Sequence, residues 1–272
     1  MLSFVHRLLH VPYTMYVRSD IRPEGKARAT VVFIHGIGNT GRAWDKVITN
    51  LPVDLRLVSV DLLGFGKSRK PEWLRYDVSM QARSLYTTLY KLRIRGPVIL
   101  VGHSLGSIIA VEFAKRYPGR VQSLILCSPP FYQYSVAQKK TLRLRADDVL
   151  KDVYDKIALG DRRQFLKLAA LASKYQLIGP SFSVTDENIA SYMATLSASI
   201  VQQTSLQDAE KLDTRVRIIH GTFDPVVVPR NLKHLKKQNP QVTVKDIAAG
   251  HEIKGRFIPV ITEAVLDASL DT

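Results

Sequence analysis

Short apolar runs recur along this chain at residues 31–34, 57–60, 98–101, 123–126 and 217–220, with a more polar one at 242–247. Runs of this length, followed within a few residues by Gly, Pro or Asp, predict strands. Between them lie segments with helical spacing, such as 107–117, where Ile108, Val111, Glu112 and Ala114 recur at intervals of three and four. The alternation predicts an α/β domain. The N-terminal stretch 1–10 is interrupted by His6, Arg7 and His10, and is read as a first strand pairing across the turn near Val11, Pro12 and Tyr13 with residues 14–19.

The alternation stops after Pro129 and Pro130 and resumes only at Arg217. The interval carries helical patterns instead: 147–159 with Val149, Val153 and Ile157, then 163–175 with Phe165, Leu168 and Ala172. After the break at Gly179 and Pro180, Thr185 is placed as an N-cap with Asp186 and Glu187 in the first turn. An apolar stripe follows through Ile189, Tyr192, Met193, Leu196, Ile200 and Val201. This predicts a helical insertion at 131–203, set into a core built from 1–130 and 204–272.

Chemistry enters at the strand ends. Residues 102–106, Gly-His-Ser-Leu-Gly, spell G-x-S-x-G between a predicted strand and a predicted helix. A serine on that turn takes a strained backbone that lifts its hydroxyl clear of the sheet, and its flanking glycines let strand and helix pass closely. Ser104 is therefore the candidate nucleophile. Such a serine needs a base and an acid that orients the base. Asp224 sits in the turn after 217–220, and His251 opens the loop after 242–247. The run after 123–126, which is Cys127, Ser128, Pro129 and Pro130, offers no rival carboxylate.

Three further loops agree in order and position. His35-Gly36-Ile37-Gly38 follows 31–34, Trp44 comes soon after, and Asp61-Leu62-Leu63-Gly64-Phe65-Gly66-Lys67-Ser68 follows 57–60. Together with the elbow these resemble the α/β-hydrolase fold with a cap, over nearly the whole length. The resemblance implies a mostly parallel central sheet flanked by helices, with the inserted helical cap above it. It also implies a Ser104–His251–Asp224 triad and an oxyanion site at the N–H groups of Ile37 and Leu105. Asp61 is expected to fix its own loop, His35 to orient the oxyanion loop, and His103 to pack beside the sheet. Ser107 departs from the pattern, standing where many relatives have a second glycine. A cap should help line the acyl pocket, which makes Phe131, Tyr132, Tyr134, Tyr192 and Leu196 candidate lining residues.

These features imply a serine hydrolase acting on a small-molecule apolar acyl ester, carboxylesterase- or lipase-like, with no cofactor and no metal. A carbon–carbon bond hydrolase, an amidase or an acyltransferase would use the same triad. A binding protein that kept the fold would be expected to lack a triad member, and none is missing.

Composition refines this. The chain has 272 residues, 46% of them hydrophobic, enough for one large core. No apolar window reaches the roughly 18 residues of a membrane span, and the N-terminal stretch lacks a signal peptide's continuous apolar core, so a cytoplasmic protein is expected. Cys127 is the single cysteine and reads as a buried hydrophobe. His6, His10, His220 and His234 lack metal-ligand spacing. The net charge of +15 is spread along the chain and reads as a solvated surface. Weak association with an anionic membrane surface or an anionic substrate is the alternative it leaves open. No nucleic-acid-binding module accompanies it, and the oligomeric state stays open.

Overall fold

The computed structural model describes residues 11–133 and 184–270, together with His6, Leu8, Asp152, Ile157, Gly160 and Asp161. Among them a seven-stranded sheet is built from β1 (Tyr16–Ile21), β2 (Thr30–Ile34), β3 (Arg56–Asp61), β4 (Val98–His103), β5 (Val121–Cys127), β6 (Arg215–Gly221) and β7 (Val242–Ile247). Its order is β1-β3-β2-β4-β5-β6-β7. Neighbours run parallel, except β1, which is antiparallel to β3.

The apolar runs are explained by burial on both faces. Alternate residues of one strand enter different cores. Val32, Ile34, Leu100, Leu124 and Leu126 pack on one face with Ile108, Ile109, Leu85 and Leu89. Val31, Phe33, Ile99, Val101, Ile125 and Cys127 pack on the other with Trp44, Phe257, Ile261 and Val265. The first face is covered by the helices Val78–Lys91 and Leu105–Arg116, the second by Phe257–Leu270 and the short Asp45–Ile48. Every residue of Leu105–Arg116 up to Ala114 is buried, so this helix is apolar nearly all round, as an internal helix must be.

Strand order reverses between β2 and β4: the chain steps outward from β2 to β3, then crosses back to β4 and proceeds the other way. The carboxyl ends of strands at such a switch point open a crevice in which α/β sheets bind ligands. The loops beginning at His35 and at Ser104 flank it.

Three expectations are corrected. No N-terminal hairpin forms among the described residues; His6 and Leu8 are helical, and Tyr16–Ile21 pairs with β3 at the sheet edge. Thr185 is not an N-cap. The helix Ile189–Thr195 begins after Asn188, whose side chain accepts the Thr185 N–H at 2.8 Å, so Asp186 and Glu187 lie in the preceding turn. The apolar stripe is not one α-helix either, because Leu196–Val201 continues as a π-helix. Of the two helices expected within 147–175, Asp152 and Ile157 are helical and most of the remainder lies outside the described residues. No helix among the described residues is long and apolar enough to cross a membrane.

Candidate active site

Ser104 follows β4 directly at φ 50° and ψ −117°, a positive-φ conformation that costs a non-glycine residue about 1–3 kcal/mol. It occupies the N-cap position of Leu105–Arg116, where a serine oxygen usually accepts a first-turn N–H, yet it makes no such bond. The strain thus withholds the hydroxyl from capping, while the positive end of the helix dipole lies behind it. The turn is locked from several sides. The Ser104 N–H donates to the Cys127 carbonyl at 2.9 Å. A Cβ on Gly102 would strike the Gly106 carbonyl, and one on Gly106 would strike the Ile34 carbonyl, so strand, helix and the end of β2 meet backbone to backbone. Ser107 uses its departure from the glycine pattern: its buried hydroxyl lies 2.9 Å from the Gly102 carbonyl and 3.2 Å from that of Cys127, tying the helix start to β4 and β5.

Asp224 and His251 arrive from the loops after β6 and β7 and meet, with His251 Nδ1 donating to Asp224 Oδ2 at 2.8 Å. A carboxylate only accepts, so Nδ1 carries a proton, and in the neutral ring the lone pair is then on Nε2. The other carboxylate oxygen, Oδ1, accepts the Val226 N–H at 2.9 Å. Burial raises the Asp224 pKa, but the hydrogen bond and charge of His251, with the Val226 N–H, outweigh it and leave the carboxyl below its usual range. The buried Ser128 hydroxyl adds to this effect from nearby, although it meets hydrogen-bonding geometry with no described residue. Val226 is held in turn, since its carbonyl accepts the Tyr132 hydroxyl at 2.8 Å.

The N–H groups of Ile37 and Leu105 have no acceptor among the described residues. The loop that carries Ile37 and the turn that leads into Leu105 are in close contact, for a Cβ on Gly36 would lie 3.2 Å from that of Ser104. His35 is buried and neutral: its Nε2 accepts the Leu62 N–H at 2.9 Å, and burial lowers its pKa to about 4 against the opposing pull of the Gly36 carbonyl and Asp61. Asp61 holds loops rather than facing Ser104; Oδ1 accepts Gly41 N–H and Oδ2 accepts Lys67 N–H, each at 2.8 Å. Cys127 is buried, which pushes its thiol pKa up and keeps it protonated.

Phe131, Tyr132, Tyr192 and Leu196 are all buried in the cluster that also holds Leu105. Tyr134 lies outside the described residues. Sequence reasoning missed two contacts, the Tyr132 hydroxyl on Val226 and a bond from His103 Nε2 to the His251 carbonyl at 2.9 Å. Both join residues about a hundred or more positions apart, so no local spacing signals them. Of the remaining histidines, His6 stacks on Tyr13, His220 pairs with Asp246, His234 pairs with Glu210, and His10 lies outside the described residues. No group of three or more His, Cys, Asp or Glu suited to a metal ion occurs among the described residues.

A family model described as the alpha/beta hydrolase fold matches residues 29–254. A "Probable lysophospholipase BODYGUARD 3" of Arabidopsis thaliana is 35% identical over 157 residues, covering 54% of this chain and 31% of that protein. The "AB hydrolase superfamily protein YisY" of Bacillus subtilis is 26% identical over 243 residues, covering 81% of this chain and 84% of that one. The crystal structure of a bromoperoxidase from Bacillus anthracis superposes with a TM-score of 0.70 at 25% identity, over 92% of this chain and 93% of that one. The chain spans about a third of the length of the Arabidopsis relatives it matches.

Proposed function

Because the chain belongs to the alpha/beta hydrolase fold family, we propose that it is a serine hydrolase that cleaves an apolar acyl ester through Ser104, His251 and Asp224. The observation that carries this reading is the 2.8 Å bond between His251 Nδ1 and Asp224, because it sets the tautomer that general-base catalysis requires.

His251 Nε2 takes the proton of the Ser104 hydroxyl as Oγ attacks the ester carbonyl. Asp224 stabilises the imidazolium so formed. The developing oxyanion is held by the N–H groups of Ile37 and Leu105, both without an internal acceptor among the described residues, and by the positive end of the helix that Leu105 begins. Collapse of the tetrahedral species passes the proton from His251 to the leaving alcohol and leaves an acyl group on Ser104. A water, deprotonated by His251, then attacks this acyl-enzyme; the acid leaves and the proton returns to Ser104. No step needs a metal or an organic cofactor.

The acyl chain is assigned to the face formed by Phe131, Tyr132, Tyr192 and Leu196, within the segment 131–203 proposed as the cap. A relative named a probable lysophospholipase supports an acyl-ester substrate. The test is labelling by a fluorophosphonate, followed by turnover across a panel of esters of varied acyl length. Labelling is expected in the wild-type protein and absent in Ser104→Ala; a label retained by Ser104→Ala would overturn the proposal.

A further inference from the structure

We infer that His103, the residue before the candidate nucleophile, is a positioning residue that fixes His251 by its main chain. The inference rests on the reading that Ser104, His251 and Asp224 carry the reaction.

His103 is buried at the end of β4, and its Nε2 lies 2.9 Å from the His251 carbonyl oxygen. A carbonyl can only accept, so Nε2 carries a proton. Burial, reinforced by the nearby His251, lowers the His103 pKa to about 3, which keeps the ring neutral with its single proton on Nε2. Nδ1 is then a bare lone pair. It is buried with no partner among the described residues and faces the backbone of the oxyanion loop, where a Cβ on Gly36 would lie 2.9 Å from it.

An unpaired acceptor inside a protein is unfavourable, and an apolar ring would fill the same space without one. What the histidine supplies in exchange is one directed donor. His251 depends on it. The stretch 248–256 has no regular secondary structure. Among the described residues His251 makes two hydrogen bonds, its side chain to Asp224 and its carbonyl to His103. One anchor holds the ring at Nδ1 and the other holds the main chain, so together they limit where Nε2 can point. The two imidazole rings lie 4.9 Å apart. Because His103 is covalently next to Ser104, this bond makes the nucleophile's own turn the reference from which the base is placed.

Two variants separate the donor from the volume it fills. His103→Phe keeps a ring and loses the donor; His103→Gln restores an N–H donor on a different side chain. With a neutral ester, His103→Phe should lower kcat by about a hundredfold with KM within about twofold, because misplacement by about an ångström acts on chemistry rather than on binding. His103→Gln should recover at least about a tenth of the wild-type kcat, by the same reasoning. Wild-type kcat in a folded His103→Phe, or a loss of kcat that His103→Gln does not relieve, would overturn the inference.

A measurement on the wild-type protein does not depend on the variants folding. Nitrogen-15 NMR of the histidine rings should show His103 protonated at Nε2 with a slowly exchanging proton; protonation at Nδ1 alone would remove the bond and the inference with it. Ser104→Ala in the same assay keeps the two readings distinct. Turnover retained there overturns the reading beneath together with this one, whereas an inactive Ser104→Ala beside a fully active His103→Phe overturns this one alone.

Discussion

His35 accepts the backbone N–H of Leu62 at 2.9 Å, and by this bond the loop after β2 is tied to the loop after β3 across the parallel pair between them. The ring can play this part only while Nε2 is unprotonated, since Nδ1 is already engaged with the Gly36 carbonyl at 2.8 Å. A second proton would break the joint beside the candidate oxyanion loop.

This makes stability depend on pH. Burial lowers the His35 pKa from 6.5 to about 4, and burial with the nearby His251 lowers that of His103 from 6.5 to about 3. Below the ordinary value the unfolded chain binds protons that the folded chain refuses, so this stability is complete above about pH 6.5 and lost on acidification toward pH 4. Each ring contributes a slope of up to about 1.4 kcal/mol per pH unit. Urea unfolding at about pH 7, 6 and 5 should show the decline, and His35→Gln, which keeps an acceptor for Leu62, should make it shallower. An unchanged urea midpoint across that range would falsify the assignment.

Asp61→Ala should unfold the protein before it disables the chemistry. The change leaves the N–H groups of Gly41 and Lys67 without their acceptor, at a cost of roughly 2–4 kcal/mol. Chemical denaturation should report that loss, while kcat for a neutral ester, measured where the variant is still folded, stays within about tenfold of wild type. A drop of about a thousandfold in kcat with unaltered stability would instead make Asp61 a reacting group.

Tyr132→Phe distinguishes a residue that holds the loop of Asp224, the candidate acid, from one that only touches substrate. The hydroxyl reaches the Val226 carbonyl, and the Val226 N–H reaches Asp224. Its removal should loosen the acid and lower kcat by about tenfold with little change in KM. Should KM rise while kcat stays constant, Tyr132 would be a pocket wall and nothing more.

The charge of +15 should act on encounter and leave chemistry alone. Lys67 and Arg69 lie over the rings of Tyr16 and Tyr13 at 5.4 and 5.5 Å, on the surface of the Asp61 loop. Salt screens exposed charge over about 8 Å at physiological strength, so turnover of a neutral short-chain ester should be the same at low and at about half-molar salt. The protein should not co-sediment with anionic vesicles. Co-sedimentation that salt abolishes and that charge reversal at Lys67, Arg69 and Lys70 weakens would assign the excess to a membrane surface.

Much of the sheet and the order of the candidate site residues were legible because both are written in contiguous residues. An apolar run such as 31–34 states a strand wherever it stands, and Ser104, Asp224 and His251 each lie within four residues of the end of such a run. The N-terminal stretch misled because apolar residues interrupted by polar ones fit a strand or one side of a helix equally well; the edge position beside β3 went to Tyr16–Ile21. The start of the helix Ile189–Thr195 was misjudged because Thr185 and Asn188 both suit a cap, and the Asn188 side chain turns back to Thr185 instead. The bond between His103 and His251 spans 148 positions and belongs to folding, not to any local pattern.

The double burial of β4 has a consequence for how its pairing is chosen. Every residue of Val98–His103 is buried, so sliding the strand by one step would turn no apolar side chain toward water. Hydrophobicity, which fixes alignment in sheets with one wet face, is silent here. Steric exclusion restricts the alignment at one point: a slip of the elbow along β2 would put Leu105 or Ser107 where Gly106 meets the Ile34 carbonyl, and there is no room there for a Cβ. The small residue at which the candidate nucleophile turn meets β2 thus also serves as a notch that keys the central strand against its neighbour.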